Sequence, residues 1–210
     1  MANFLKAFLA KQLGHPSGWF GQMLLRLLNR SNQAMNDLTL RQLALTENLH
    51  VLEIGFGGGD LIHRCLAAEK SLILTGIDPA IAAIDFANKR FKGALQSGQL
   101  QLAQAPGEKI PFPDASFDRI MTVNTLYFWS EPTQVLASCQ RVLRPLGKLV
   151  ITYKNKQFLE KTEATNYGFQ AYDPHEVELM LEKAGFADIQ TVAAESPFDG
   201  QFFCTTGVKP

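Results

Sequence analysis

The 210-residue sequence has no net charge, since 20 lysines and arginines balance 20 aspartates and glutamates. No field of one sign gathers phosphates at long range, and nucleic acid is a poor default substrate. Cysteine is scarce. Cys65, Cys139 and Cys204 are odd in number, widely spaced and mostly in apolar runs, which argues against a disulfide framework and for buried thiols of a reducing compartment. The four histidines, His15, His50, His63 and His175, show no ligand spacing with one another or with cysteine, so no metal is expected. A long apolar run is also lacking. Met1–Leu13 is broken by Lys6 and Lys11, is too short and charged to span a bilayer, and has no clear cleavage site. Together with the cysteines this gives an expectation of a cytoplasmic protein. Phe4, Leu5, Phe8, Leu9 and Leu13 share one helical face, read as a cap packed on the core, with a membrane-surface helix as the alternative. Repeats and low-complexity runs are absent, and the length fits one domain with at most a small appendage.

What is present is concentrated in Val51-Leu52-Glu53-Ile54-Gly55-Phe56-Gly57-Gly58-Gly59-Asp60. Val51–Ile54 reads as a buried strand. The glycines that follow can take positive φ and let a ligand approach the backbone. Leu61, Ile62, Cys65 and Leu66 then recur with helical period, so a helix N-terminus points back at the loop. The next strand, Leu72–Ile77, ends in Asp78, where an acid can accept from a ribose diol. Strand, glycine turn, helix and acid make a nucleotide cradle. A dinucleotide site wants G-x-G-x-x-G with a pyrophosphate at the helix N-terminus, but Asp60 occupies the third glycine's place and would repel that group. Glu53 and Asp60 suit a ligand carrying positive charge.

From Leu49 onward strand and helix alternate. Strands are expected at 49–54, 72–77, 99–103, 118–123 and 147–153, with helices near 60–69, 80–92 and 132–143, a doubly wound α/β sheet. Pro174–Ala184 is a further helix, with proline in its first turn and Gly185 closing it. Ala187–Ala193 and Gln201–Val208 are too close for a parallel crossover and read as an antiparallel pair. Before the sheet, Trp19–Asn29 and Ser31–Thr46 read as helices. The expected organisation is a helical cap or lid over 1–46 and a catalytic domain over 47–210.

The glycine loop resembles motif I of class I S-adenosylmethionine-dependent methyltransferases, whose donor carries a sulfonium and an α-ammonium and no phosphate. Glu108-Lys109-Ile110-Pro111-Phe112-Pro113-Asp114 is similar to the family's segment before strand four. Arg141-Val142-Leu143-Arg144-Pro145-Leu146-Gly147 is similar to its structural corner before strand five, with Leu146 where a second glycine is usual. The resemblance covers about residues 47–155 and is nearest to the ubiquinone/menaquinone-type small-molecule methyltransferases. It implies a seven-stranded Rossmann-like sheet with a reversed C-terminal strand, S-adenosylmethionine as donor, and S-adenosylhomocysteine as product. Glu53, Gly55, Phe56, Gly57 and Gly59 are then donor-binding candidates, with Asp78 and Pro79 after strand two. Gly107 and Glu108 would meet the adenine through backbone groups, because Pro106 stands where many relatives carry an aspartate and offers neither acceptor side chain nor N–H.

The ligand crevice of an open α/β sheet lies outside the carboxyl ends of its strands, which adds Asn124 and Thr125 to the donor candidates. Tyr127, Phe128 and Trp129 read equally as a wall for an apolar or planar acceptor or as packing beneath the next helix. The segment 153–173 is a second source of aromatics. His15, Tyr127 and Tyr153 are the candidates for a base or an orienting hydroxyl, although proximity catalysis without a dedicated base leads. The expected partner is a small-molecule acceptor met by a monomer or homodimer, with peripheral membrane contact left open. A non-catalytic S-adenosylmethionine-binding protein and an NAD(P)-dependent oxidoreductase are the alternatives.

Overall fold

The run of apolar strands separated by amphipathic helices becomes, in the computed structural model, a single sheet; the structure describes residues 32–196 and 200–210. Helix α1 (Gln33–Leu43) precedes β1 (His50–Ile54), α2 (Asp60–Ala68) and β2 (Ile73–Asp78). Then come α3 (Ile81–Arg90), α4 (Lys92–Gln96), β3 (Leu100–Gln104) and β4 (Phe117–Val123). Helix α5 (Pro132–Val142), β5 (Leu143–Lys154), α6 (Lys156–Lys161), α7 (Pro174–Lys183), β6 (Ala187–Ser196) and β7 (Gly200–Val208) complete the order. The expected helix over 80–92 ends earlier, because Phe91 turns aside, buried, between α3 and α4. Expectations for Met1–Leu13, His15 and Trp19–Asn29 lie outside the described residues.

The seven strands are ordered β3-β2-β1-β4-β5-β7-β6, with β7 antiparallel to both neighbours. From β1 the chain winds outward through β2 and β3, then returns to β4 on the other side. The carboxyl ends of β1 and β4 therefore flank the point where strand order reverses, which is where open α/β sheets bind their ligands. Both sheet faces are covered, which is why the central parallel strands read as continuous apolar runs. Leu52, Ile54 and Ile151 pack against Val135, Leu136 and Val177 of α5 and α7. Val51 and Val150 pack on the opposite face with Met35 and Leu38 of α1, Ile62 of α2 and Ala83 of α3.

Helix α7 starts as its sequence requires. Asp173 Oδ1 accepts the Glu176 amide at 3.0 Å, and Glu176 Oε2 accepts the Asp173 amide at 2.8 Å, a reciprocal cap with Pro174 in the first turn. The corner before the main run of β5 is less relaxed. Leu146 has φ +63° and is 77% exposed, while a Cβ on Gly147 would sit 2.8 Å from the Arg144 carbonyl oxygen. A leucine in left-handed backbone costs about 1–2 kcal/mol, partly offset by the larger unfolded-state entropy of glycine. Leu146→Gly is expected to stabilise the protein by about 1 kcal/mol, read as a higher urea midpoint at unchanged slope.

Candidate active site

The turn from β1 into α2 is built on left-handed glycines, with φ +70° at Gly55, +51° at Gly57 and +69° at Gly59. The Gly55 amide donates to the Ile77 carbonyl at 2.8 Å, which sets the loop across the end of β2. A Cβ on Gly55 would stand 2.5 Å from Thr125 Cγ2, and one on Gly59 would stand 2.6 Å from the Phe91 ring. Close approach and backbone conformation together exclude other residues at both positions. Phe56 turns its side chain into the core against Gly76, so only its main chain faces the crevice.

Asp78 braces this loop. Its Oδ2 accepts the Gly57 amide at 2.9 Å and its Oδ1 the Ala80 amide at 2.9 Å. A carboxylate has about four acceptor positions, so a diol can still be received beside the two amides. The neighbouring Pro79 carbonyl accepts from Gln104 Nε2 at 3.1 Å, which ties the start of the next turn to β3.

Glu53 is the unusual group of the site. It is buried on β1, the Ile62 amide donates to it, and Oε2 has no partner among the described residues. Burial first, then the Asp78 and Asp60 carboxylates, push its carboxyl from the ordinary 4.5 up to about 8, while the Ile62 amide and Arg90 pull the other way. An unsatisfied buried carboxyl oxygen is costly unless something binds it, and a cation is the fitting occupant. Asp60 needs a correction. Instead of awaiting a positive ligand, its Oδ2 accepts from Arg64 Nε at 2.6 Å and Asn36 Nδ2 at 3.1 Å, and Arg90 Nη2 lies 3.8 Å from Oδ1. Arg90 also donates to the Gly58 carbonyl. Arg64 follows Asp60 by one turn of α2, a pairing that i,i+4 spacing allows, whereas Arg90 and Asn36 reach it from α3 and α1 through tertiary packing.

After β3, Gly107–Lys109 forms one tight helical turn, and Gly107 is buried where a Cβ would lie 3.1 Å from Val135 Cγ1. The Glu108 carboxylate accepts from Ser130 Oγ at 3.0 Å and its carbonyl from Ser138 Oγ at 2.8 Å. The turn is thus pinned to α5 and its approach.

At the end of β4, Asn124 adopts φ +57° and Thr125 sits over Gly55. The Tyr127 hydroxyl donates to Asn124 Oδ1 at 2.9 Å and accepts the Lys154 amide. Tyr127 and Trp129 are buried, whereas Phe128 keeps partial exposure. Phe169 stacks on Tyr127 with centroids 6.0 Å apart and meets Phe128 edge-on at 4.7 Å. Trp129 is thus core packing, and Phe128 and Phe169 lie partly buried against the same core. Tyr153 is fully buried within the sheet's apolar packing, where its hydroxyl meets Thr205 Oγ1 at 2.8 Å and its phenol is held above its ordinary pKa by burial. Among the described residues, no group of three or more His, Cys, Asp or Glu could hold a metal ion, and no helix is long and apolar enough to cross a membrane.

A reversed strand in a seven-stranded sheet and a glycine loop facing an acid-tipped β2 define the class I methyltransferase type. Residues 52–151 match the family described as Methyltransferase domain. The chain is 30% identical over 185 residues to "Uncharacterized methyltransferase YdaC" of Bacillus subtilis, covering 88% of this chain and 96% of that protein. It is 29% identical over 145 residues to the ubiquinone/menaquinone biosynthesis C-methyltransferase UbiE of Marinomonas sp., covering 68% of this chain but only 55% of that protein. A SAM-dependent methyltransferase structure from Aquifex aeolicus superposes with a TM-score of 0.73 at 22% identity, covering 90% of this chain and 98% of that one. The chain belongs to the S-adenosylmethionine-dependent methyltransferase family.

Proposed function

We propose that the chain binds S-adenosylmethionine at the carboxyl ends of β1 and β2 and transfers its methyl group to a small apolar or aromatic acceptor. The observation that carries the donor assignment is the buried, unpartnered Glu53 Oε2, which fits a donor bearing positive charge and would oppose a pyrophosphate. Asp78 is suited to the ribose hydroxyls, and the main chain of Gly55, Gly57 and Gly59 permits close approach. Gly107 and Glu108 would border the adenine by backbone alone, with Pro79, Phe56, Asn124 and Thr125 shaping the crevice around them. The bound donor supplies a methyl group on positively charged sulfur, activated for in-line displacement.

The protein's part is alignment and exclusion of water. Holding both reactants in near-attack geometry is worth about 7–11 kcal/mol of barrier. Phe128 and Phe169 supply an aromatic surface beside the strand ends, and the Tyr127 hydroxyl is already engaged on both sides, which favours positioning over proton abstraction. The acceptor class is further supported by zero net charge and by the small-molecule acceptor that the UbiE relative's name implies. Residues 1–46 are read as a cap or lid over the domain spanning 47–210, in a cytoplasmic monomer or homodimer.

Calorimetry of the purified protein with S-adenosylmethionine, S-adenosylhomocysteine and NAD⁺ tests the donor. Micromolar binding of the two adenosyl ligands is expected. Tight NAD⁺ binding, or none by either adenosyl ligand, would sink the proposal. Donor binding with no methyl transfer across quinol, phenol and enol acceptors would favour the non-catalytic alternative.

A further inference from the structure

Asn124 stands at the strand end in left-handed backbone, which asparagine tolerates better than most residues. Both ends of its side chain are engaged by protein. Nδ2 donates to Asn32 Oδ1 at 3.0 Å and lies 3.3 Å from Met35 Sδ, while Oδ1 accepts the Tyr127 hydroxyl. Tyr127 passes the connection to the Lys154 amide at the end of β5.

Asn32 makes the arrangement more telling. It is the residue before α1, where an asparagine side chain ordinarily accepts from an amide of the first helical turn. It makes no such cap, and its oxygen serves Asn124. One residue beyond Asn124, Thr125 presses on Gly55 so closely that no Cβ fits between them. The 124–128 turn thus touches the glycine loop through Thr125, α1 through Asn124, and β5 through Tyr127.

We infer that Asn124 is a positioning residue of the methyl-transfer site: its side-chain amide holds α1 and the aromatic turn in register with the glycine loop. A ligand seated in that loop is then felt at α1, through Thr125 and Asn124. The inference rests on the donor reading above. The body of α1 has further anchors, since Met35, Leu38 and Leu43 are buried and Thr39 Oγ1 meets Thr152 Oγ1 at 2.6 Å, so losing the link should leave the helix packed and remove only the protection that the ligand adds at its first turns.

Hydrogen–deuterium exchange of the full chain, with and without S-adenosylhomocysteine, tests it. In the unaltered protein the ligand should slow exchange in the glycine loop, the 124–128 turn and the first turns of α1 together. Asn124→Gly keeps positive φ without strain and removes both arms. Asn32→Ala, which removes the far end of the link at a residue outside the donor site, should keep its affinity for S-adenosylhomocysteine within about threefold and its loop protected, while the protection that the ligand adds at α1 is lost in it and in the glycine form. Asn124→Asp, which keeps the acceptor for Tyr127 but loses the donor to Asn32, should lose protection at α1 and retain it at the turn. It also stands in if the glycine form does not fold. Undiminished protection of α1 in these variants, or none in the unaltered protein, overturns the inference and leaves the donor reading intact. A loss of affinity beyond about thirtyfold with α1 still protected overturns it too, making Asn124 a direct donor ligand. No binding by the unaltered protein overturns the donor reading itself.

Discussion

Glu53→Gln is expected to make binding of S-adenosylmethionine nearly independent of pH, whereas the unaltered protein should release close to one proton per donor bound at neutral pH. The carboxyl titrates near 8 in the free protein because it is buried beside Asp78 and Asp60. A cation placed against Oε2 selects the carboxylate, so the proton must leave as the ligand enters. Below that pKa, affinity should fall about tenfold per pH unit, and the glutamine variant should bind weakly at every pH. Calorimetry in two buffers of different ionisation enthalpy measures the proton directly. Equal release with S-adenosylhomocysteine would place the α-ammonium against Glu53, and release with the sulfonium donor alone would place the sulfur there. Binding without proton release would show that Glu53 does not meet a ligand cation. The same group ties stability to pH. Its folded pKa lies above the ordinary 4.5, so its favourable contribution is complete below about 4.5 and is lost as pH rises toward 8. The ligand-free protein should melt progressively earlier across that window, and Glu53→Gln should flatten the trend.

Asp78→Ala should reduce affinity for both adenosyl ligands by two orders of magnitude or more (about 3 kcal/mol). Two losses combine. A ribose acceptor disappears, and the Gly57 and Ala80 amides lose the oxygens that hold them at 2.9 Å. Leaving buried amides unsatisfied costs about 1–3 kcal/mol each, so the glycine loop should also loosen. Asp78→Asn tests this division. It keeps one carbonyl oxygen but turns an NH₂ group toward one of the two amides, so it should recover little. Titration with S-adenosylhomocysteine, alongside thermal melts, separates the lost contact from the loosened loop. Affinity within threefold of the unaltered protein would remove Asp78 from the donor site.

The residues that made the fold legible act over short range. Val51–Ile54, the glycines after it and the periodic Leu61, Ile62 and Cys65 require strand, turn and helix from local conformational preference alone. The closeness of the last two strands dictated their antiparallel pairing for the same reason. What the sequence hid depends on tertiary contact. Arg64 lies one turn along Asp60's own helix, but nothing local signals that Arg90 and Asn36 converge on Asp60 from two others. Phe91 interrupts a helical pattern because its ring fills the space beside Gly59. Tyr153 was a candidate for orienting a substrate from its place near a strand end, but the twofold side-chain alternation of β5 turns it into the packing against Thr205. Asn32 precedes α1, yet its side chain bridges to Asn124 and does not cap the helix.

The reversed strand has a bearing on how the chain is made. Strand β7 is the last of the seven strands in chain order, yet its place is between β5 and β6, both synthesised before it. Until residues 200–208 emerge, β5 presents an open edge from Lys148 to Lys154, and β6 has no neighbour in the sheet. An unpaired edge is a template for other chains. The sheet therefore closes only once β7 has been made, and a nascent chain halted before it would carry six strands and an adhesive edge.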